Sequence, residues 1–310
     1  MVVIDEKYEG IISEDTYIAL GSFDGLHIGH LTLINKAIEL ADKFNGKSMV
    51  FSFKNHPLSF IRPESAPKLL MSKDEKLSVL EKLGIDICCL VDFNENVMKM
   101  QPEDFVELLS KKYKAKGIIV GFNHKFGYKN KGDINLLKSL EAVYGYKVYV
   151  LDAYSYGEEV VSSSRIREEI SNGDLEEANK MLSREYFLEG KVIHGKKLGR
   201  QLGFPTANLE YNSNYVLPKT GVYYTNVLVN NEIYKGITSV GYNPTVSGDK
   251  KLTVETYILD FSEEIYDLQM KVYFIKRIRD EEKFNSMEEL INQLKDDRNF
   301  AVNEQIKISF

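Results

Sequence analysis

Apolar residues in the first half of the chain fall into short runs that alternate with segments of helical spacing. The runs are apolar at consecutive positions, which is typical of strands covered on both faces of a parallel sheet. They predict strands at 16–22, 48–53, 87–92, 117–121 and 147–151. Helical patterns lie at about 30–44, 73–83, 102–113 and 133–144. This order predicts a Rossmann-like α/β domain with an open, doubly wound sheet that binds ligands at the carboxyl ends of its strands.

The pattern changes at about residue 184, where runs rich in Tyr, Val, Ile and Thr replace the helical segments. These runs predict strands at 186–193, 221–229, 232–240, 253–261 and 270–277, with one helix at about 286–296. Val229-Asn-Asn-Glu232 has the composition of a tight hairpin turn. We therefore expect a first domain over 1–183 and a small antiparallel β-barrel domain over 184–310.

Composition narrows the classes of protein. The chain has 310 residues, 43% of them hydrophobic and 28% charged, as expected for two ordinary globular domains. No apolar run reaches the roughly 20 residues that are needed to span a bilayer. The first six residues include Asp5 and Glu6, so this segment does not resemble a secretory signal. A net charge of −6 disfavours broad electrostatic binding of nucleic acid. Cys88 and Cys89 lack metal-ligand spacing, and we expect buried thiols in the cytoplasm.

The first predicted strand leads into the segment G-S-F-D-G-L-H-I-G-H at 21–30, here called the H-x-G-H loop. Its glycines let the backbone approach a phosphate closely, and the N–H groups of the following helix terminus attract anions. His27 and His30 are one helical turn apart, so both imidazoles can reach one phosphate. The pattern favours a polyanion site, although a capping turn with two exposed imidazoles has the same spacing.

Two further predicted strands also end in polar loops. His56 precedes Pro57, which holds it out of the helical region, and the segment G-F-N-H-K-F-G at 121–127 contains His124. Four of the five histidines (27, 30, 56 and 124) therefore follow strands of one predicted sheet, which favours a nucleotide pocket at its edge. For His124 a surface position is equally compatible.

A serine-rich segment, S-S-S-R-I-R at 162–167, precedes a helical pattern that extends to 182. Its serines could cap the helix. Alternatively, the hydroxyl groups and Arg167 could bind a triphosphate or a leaving pyrophosphate. The residues by themselves leave both interpretations open.

The second half contains a basic loop punctuated by glycine, H-G-K-K-L-G-R-Q-L-G-F-P-T-A-N at 194–208. Such a loop can surround phosphates with backbone N–H groups, or it can be a surface hairpin with a solvated tip. Thr206 and Asn208 are alternate residues, so on an extended segment they share one side and could bind a hard cation. Glu255 lies in a strand of otherwise uncharged residues and could be a general base or a solvent-exposed carboxylate.

The H-x-G-H loop resembles the signature of the H-x-G-H nucleotidyltransferases, which bind ATP and direct a phosphate-bearing acceptor to its α-phosphate. Taken in order, the motifs resemble those of the prokaryotic bifunctional riboflavin kinase/FMN adenylyltransferases over nearly the whole chain. The matching segments are G-S-F-D-G-L-H-I-G-H at 21–30, N-H-P at 55–57, V-G-F-N-H-K-F-G at 120–127, S-S-S-R-I-R at 162–167, H-G-K-K-L-G-R-Q-L-G-F-P-T-A-N at 194–208, G-V-Y at 221–223, S-V-G-Y-N-P-T at 239–245, V-E-T-Y-I-L-D-F at 254–261 and K-F-N-S at 283–286.

The resemblance implies roles for individual residues. His27 and His30 would stabilise adenylyl transfer, and Glu255 would deprotonate the 5′-hydroxyl of riboflavin. Thr206 and Asn208 would hold Mg²⁺ with ATP. The remaining adenylyltransferase residues, which would bind ATP or FMN, are Gly21, Ser22, Phe23, Asp24, Gly29, His56, Pro57, Asn123, Ser163, Ser164 and Arg167. The remaining kinase residues, which would bind ATP or flavin, are His194, Gly195, Lys196, Lys197, Arg200 and Arg279.

The resemblance further implies ATP, riboflavin and FMN as small-molecule partners, with flavins as substrates and products. Nucleic acid and membranes are not expected partners. A kinase with a weak or repurposed adenylyltransferase domain is one alternative. A flavin-binding regulator that kept the fold without its chemistry is another, but such a protein need not retain the histidine pair or the set Thr206, Asn208 and Glu255.

Overall fold

The computed structural model describes residues 1–195, 199, 202–244 and 250–308. The chain forms two compact units, Met1–Ser163 and Ser164–Phe310. Among the described residues, none of the helices combines the length and apolar character that crossing a bilayer requires.

The first unit is built on a fully parallel sheet of six strands in the order β1-β4-β3-β2-β5-β6. Its strands are β1 (Val2–Ile4), β2 (Thr16–Leu20), β3 (Lys47–Phe53), β4 (Ile87–Val91), β5 (Ala115–Gly121) and β6 (Lys147–Leu151). The five predicted strands are confirmed, and β1 is an addition. Because β1 is only three residues long and pairs with β4 at the sheet edge, it has too little apolar pattern to be predicted.

Helices cover both faces of this sheet. They are α1 (Ile28–Phe44), α2 (Pro57–Ile61), α3 (Lys73–Lys82), α4 (Glu95–Lys99), α5 (Pro102–Lys111), α6 (Ile134–Ser139) and α7 (Glu141–Tyr144), with a short ribbon of β7 (Ser155–Tyr156) and β8 (Glu159–Val160) after β6. Alternate residues of β2 enter two separate apolar clusters, Ile18 and Leu20 on one face and Tyr17 and Ala19 on the other. The predicted Rossmann-like α/β architecture is therefore confirmed, with the helix predicted at about 133–144 divided into α6 and α7.

The second unit contains a closed antiparallel barrel in the order β10-β13-β12-β11-β14-β9. Its strands are β9 (Tyr186–Ile193), β10 (Thr206–Tyr211), β11 (Gly221–Val229), β12 (Glu232–Pro244), β13 (Lys250–Ile258) and β14 (Gln269–Arg279). The predicted turn is confirmed: Val229 pairs with Glu232, and Asn230 and Asn231 have φ of 51° and 62°. The predicted small barrel is thus confirmed, with β10 as a sixth strand.

In the described part of the second unit, the barrel is accompanied by α8 (Ser163–Asn172), α9 (Leu175–Leu182) and α10 (Met287–Asn303). Gly173, with φ of 92°, separates α8 from α9 within the segment where one helical pattern was predicted. The side chain of Asn179 on α9 donates to Phe274 O of β14 and accepts from Tyr186 N of β9. These hydrogen bonds attach α9 to the barrel, so the second compact unit includes residues ahead of position 183. The predicted domain boundary at 183/184 rests on the change in sequence pattern and stays a prediction.

Candidate active sites

The strand order brings the three predicted histidine loops to one edge of the parallel sheet. The loops follow β2, β3 and β5, and these strands are neighbours in the order β3-β2-β5. From β2 the chain builds β3 and β4 on one side, then returns to add β5 and β6 on the other. The carboxyl end of β2 is therefore beside the topological switch point, where sheets of this type bind ligands.

The two histidines of the H-x-G-H loop form one stacked unit at the start of α1. Their ring centroids are 3.6 Å apart with the planes 17° from parallel, and Nδ1 of His27 accepts the backbone N–H of His30 at 3.3 Å. A Cβ on Gly29 would lie 3.3 Å from the His27 ring, so the loop is closely packed there. His27 is only 5% exposed. It therefore caps the helix, as the alternative interpretation allowed, but it is not an exposed imidazole.

The backbone of the loop takes a conformation that most residues avoid. Phe23, Gly25 and Leu26 have positive φ values of 48°, 83° and 39°. Only glycine adopts this region without steric cost, and such strain is retained where the surroundings hold the chain in place. Phe23 and Leu26 are fully buried, and the Phe23 ring lies so close to Gly21 that a Cβ there would approach it to 2.9 Å. Packing beneath the loop thus helps to hold its shape.

Hydrogen bonds attach the same loop to four other parts of the chain. The buried Asp24 carboxylate accepts Leu70 N at 3.1 Å, and its carbonyl accepts Ser163 Oγ at 2.9 Å. The Ser22 carbonyl accepts Ser52 Oγ at 2.8 Å and Lys76 Nζ at 2.9 Å. Neither Ser52 nor Lys76 lies in one of the sequence motifs, and neither was predicted. The signal available for Lys76 was its spacing, because it lies four residues before the buried Leu80 on a helical pattern.

The loop after β3 is held by its own polar side chains. The amide of Asn55 donates to Phe93 O at 3.0 Å and accepts Phe93 N at 2.8 Å. His56 has φ −70° and ψ 131°, the extended conformation predicted for a residue before proline, and its Nδ1 accepts Leu58 N at 3.2 Å. Pro57 is the first residue of α2. A cavity of about 40 Å³ separates this loop from the H-x-G-H loop, with Ser22, Asp24 and His56 among its lining residues.

The loop after β5 places its two predicted residues differently. Asn123 is exposed, whereas the Nε2 atom of His124 is buried and has no hydrogen-bond partner within the described part of the chain. The His124 ring stacks on Phe126 with centroids 5.8 Å apart. Burial lowers the pKa of His124 to about 4, so the imidazole is neutral at physiological pH. His124 is thus an inward-directed residue rather than a solvated surface histidine.

The serine-rich segment leads directly into α8. Ser163 is the first residue of that helix and donates to Asp24 O, which ties the segment to the H-x-G-H loop within the first unit. Ser164 and Arg167 lie in the first two turns of α8 and belong to the second compact unit. The structure therefore brings Ser163 to the proposed nucleotide loop and leaves the roles of Ser164 and Arg167 as predictions.

In the barrel, three predicted kinase residues meet on one face of neighbouring strands. Asn208 of β10 is directly opposite Glu255 of β13, and Thr206 is two residues before Asn208 on the same face. On its other side Glu255 is opposite Ser239 of β12, the first residue of the S-V-G-Y-N-P-T segment. Ala207, which lies between Thr206 and Asn208, is buried in the barrel interior, as are Val254 and Thr256 on either side of Glu255. The cluster of hydroxyl, amide and carboxylate groups consequently lies on the opposite face, the outer one.

The basic loop begins beside this cluster. The His194 ring lies against Tyr266 with centroids 3.8 Å apart. A Cβ on Gly195 would come within 2.2 Å of Asn208 Nδ2, so a side chain at position 195 would displace the Asn208 amide. Lys196, Lys197 and Arg200, the predicted cationic residues of the loop, lie outside the described residues.

Arg279 has a partner that the sequence did not indicate. Its Nε and Nη2 donate to the carboxylate of Asp297 on α10 at 3.0 and 2.7 Å, and its Nη1 donates to Asp280 O at 3.1 Å. Asp297 is 2% exposed and also accepts Gln293 Nε2. This bidentate pair joins β14 to α10, and a contact of Arg279 with flavin stays a prediction.

A parallel α/β unit with paired histidines at a helix start, followed by a six-stranded antiparallel barrel, defines a nucleotidyltransferase domain joined to a kinase barrel. A family model described as FAD synthetase matches residues 11–165, and one described as riboflavin kinase matches residues 182–304. The chain belongs to the bifunctional riboflavin kinase/FMN adenylyltransferase family. It is an ATP-dependent transferase that phosphorylates riboflavin to FMN and adenylylates FMN to FAD.

Curated relatives span nearly the same length. A bifunctional riboflavin kinase/FMN adenylyltransferase of Listeria monocytogenes is 38% identical over 90% of this chain and 89% of its own. One from Bacillus subtilis is 34% identical over 92% and 91%. A solved Streptococcus pneumoniae structure, described as a macrolide-efflux protein, aligns with a TM-score of 0.87 and 30% identity over 98% of this chain and all of its own. The whole-length matches favour the bifunctional enzyme over the single-activity and regulator alternatives.

Proposed function

We propose that the two activities are divided between the two residue clusters described above. Adenylyl transfer to FMN takes place at the H-x-G-H loop, and riboflavin is phosphorylated at Thr206, Asn208 and Glu255. One observation carries the first assignment: the His27–His30 stack lies at the start of α1, beside the switch point of the sheet. Helix N-termini and switch points are both places where phosphate groups bind.

Adenylyl transfer requires stabilisation of charge on the α-phosphate of ATP. An oxygen of the FMN phosphate attacks that phosphorus, the bond to the bridging oxygen breaks, and pyrophosphate leaves with the bonding electrons. Because His27 Nδ1 accepts a backbone N–H, the proton of neutral His27 is on Nε2, where it can be donated to a phosphate oxygen. The His30 ring and the N–H groups at the start of α1 add further stabilisation, with no covalent enzyme intermediate.

In the kinase reaction, Glu255 accepts the proton of the riboflavin 5′-hydroxyl as that oxygen attacks the γ-phosphate of ATP and ADP leaves. Its register opposite Asn208 places an amide beside the carboxylate, and Thr206 extends the polar face by one residue pair. The hydroxyl group of Thr206 and the amide oxygen of Asn208 suit Mg²⁺, which prefers oxygen ligands. When bound, Mg²⁺ would offset charge on the ATP phosphates. Among the described residues, no cluster of three His, Cys, Asp or Glu side chains offers another metal site.

We propose that the enzyme acts in the cytoplasm and binds neither nucleic acid nor membranes. The free thiols of Cys88 and Cys89 support a reducing compartment, and the net charge of −6 disfavours nucleic acid. Fractionation of cells expressing a tagged chain tests the location. Recovery in a compartment outside the cytoplasm would contradict it.

Product analysis tests the assignment of sites. Purified protein is incubated with ATP and Mg²⁺ and either riboflavin or FMN, and riboflavin, FMN and FAD are separated by chromatography over time. Wild-type protein should form FMN first and then FAD. His30→Ala should abolish FAD formation and leave FMN formation intact, whereas Glu255→Gln should stop FMN formation and still convert added FMN to FAD.

Each variant is the control for the other, because each retains the activity of the opposite unit. FAD formation at the wild-type rate by His30→Ala would refute the adenylyltransferase assignment. Normal riboflavin phosphorylation by Glu255→Gln would remove Glu255 as the base. Loss of both activities in one variant would indicate a folding defect, which circular dichroism would reveal.

A further inference from the structure

Lys76 is a buried lysine directly beneath the H-x-G-H loop. It lies on α3, one helical turn before Leu80, and only 8% of its surface is exposed. Lysine is almost never buried unless its ammonium group has partners, because removing the charge from water is costly. Burial also lowers the pKa of Lys76, a shift that the nearby Asp24 carboxylate opposes. The buried ammonium group of Lys76 therefore needs hydrogen-bond partners within the protein.

Those contacts converge on one carbonyl group of the loop. Lys76 Nζ donates to Ser22 O at 2.9 Å and lies 3.4 Å from Ser52 Oγ, which itself donates to Ser22 O at 2.8 Å. The Ser22 carbonyl thus receives two donors from different elements, one from α3 and one from β3. Two such bonds fix the direction of the peptide unit between Ser22 and Phe23 far better than one.

The direction of that peptide unit determines what the loop offers to a ligand. In a trans peptide the C=O and the following N–H point in opposite directions. With the Ser22 carbonyl directed toward Lys76, the Phe23 N–H is directed away from it. Phe23 has φ of 48°, so the next turn of the chain also depends on an outside restraint. Lys76 is in the right place to supply that restraint.

We propose that Lys76 is a positioning residue for adenylyl transfer, which holds the Ser22 carbonyl inward so that the Phe23 N–H and the loop after it face the phosphates of ATP. This inference rests on the proposed assignment of the H-x-G-H loop to ATP. A lysine that only filled space would be replaced by a neutral side chain of similar length without a selective effect on ATP. The two roles therefore differ in which substrate is affected.

The test compares Lys76→Met with Lys82→Met, which removes an exposed lysine from the same helix. FAD formation is measured with ATP varied at saturating FMN, and with FMN varied at saturating ATP. For Lys76→Met we expect kcat/KM for ATP to fall by about 10- to 100-fold, somewhat less than the loss of a direct oxyanion donor. The KM for FMN and the riboflavin kinase activity should stay at wild-type values. Lys82→Met should match wild type throughout.

Ser52→Ala keeps the inference testable if Lys76→Met does not fold. It removes only the second hydrogen bond to Ser22 O, and we expect a smaller loss in the same parameter. An unchanged kcat/KM for ATP in the folded variant, or equal losses for ATP and FMN, would overturn the proposal. His30→Ala distinguishes a failure of the proposed role of Lys76 from a failure of the assignment of adenylyl transfer to the H-x-G-H loop. If it abolishes FAD formation while Lys76→Met has no effect, only the role of Lys76 fails. If His30→Ala is active, the site assignment fails.

Discussion

The side chain of His27 is both the cap of α1 and one half of a stacked imidazole pair with His30. Its Nδ1 accepts His30 N at 3.3 Å while the two ring centroids are 3.6 Å apart. Nδ1 cannot carry a proton while it accepts this hydrogen bond, so the neutral ring presents Nε2–H. The capping contact consequently determines which nitrogen of the neutral ring carries the proton.

Substitution of His27 can separate the capping role from the chemical role. Asparagine is among the best N-cap residues, so His27→Asn should retain nearly wild-type stability yet lose FAD formation by 100-fold or more, on the order of one oxyanion donor. His27→Ala should lose FAD formation equally and unfold at lower urea concentration, with a cost of about 1 kcal/mol for the missing cap. Urea titrations and FAD assays measure the two effects. Wild-type FAD formation by His27→Asn would contradict the chemical role.

The pattern of apolar residues predicts a strand best where the strand is buried along most of its length. Residues 48–52 of β3 are all buried, and the consecutive apolar residues Met49, Val50 and Phe51 indicated a strand covered on both faces. The meeting of three histidine loops could be predicted because parallel strands place their carboxyl ends at one edge. By contrast, Val2 and Val3 of β1 are 60% and 50% exposed, and their pairing with β4 has no local signature.

The parts of the sites that were missed depend on contacts between distant segments. Lys76 reaches a carbonyl 54 positions earlier in the chain, and nothing near Lys76 indicates that this carbonyl will be there. Arg279 and Asp297 are 18 positions apart on a strand and a helix that pack only in the folded barrel. The motifs themselves were visible because loops that bind phosphate need glycine, histidine and hydroxyl residues close together in sequence. Their supporting residues carry no such requirement.

The buried Arg279–Asp297 pair should contribute to the stability of the second unit. Asp297→Asn leaves the guanidinium without its carboxylate in a buried setting, and we expect a loss of about 3–5 kcal/mol in the free energy of unfolding. Chemical denaturation followed by circular dichroism measures the loss.

The matched control is Asp260→Asn. Asp260 pairs with Arg298 at 3.1 Å, but these side chains are 80% and 39% exposed, so we expect a change of less than about 1 kcal/mol. Equal losses of unfolding free energy from the two substitutions would show that burial does not increase the contribution of the Arg279–Asp297 pair to stability.

His124 should make the first unit less stable in mild acid. Burial lowers the pKa of His124 from 6.5 to about 4, so the folded protein resists a proton that the unfolded chain accepts. Stability is therefore unaffected by this group above pH 6.5, falls as the pH drops from 6.5 toward 4, and levels off below that value. His124→Gln should flatten that part of the curve of unfolding free energy against pH. A slope identical to that of wild type in urea titrations between these pH values would exclude His124 as the source.

The two cysteines should be unreactive while the protein is folded. Burial raises the pKa of Cys88 to about 12 and that of Cys89 to about 11, and the Cys89 thiol also donates to Tyr113 Oη at 3.5 Å. Since the thiolate is the reactive form, a thiol reagent at pH 8 should modify neither residue until the strand opens. We expect no rapid modification of the native protein and rapid reaction of both thiols in denaturant, counted by mass spectrometry. Rapid modification of either cysteine in the native state would mean that β4 is accessible, and the packing of β4 between β1 and β3 would then have to be revised.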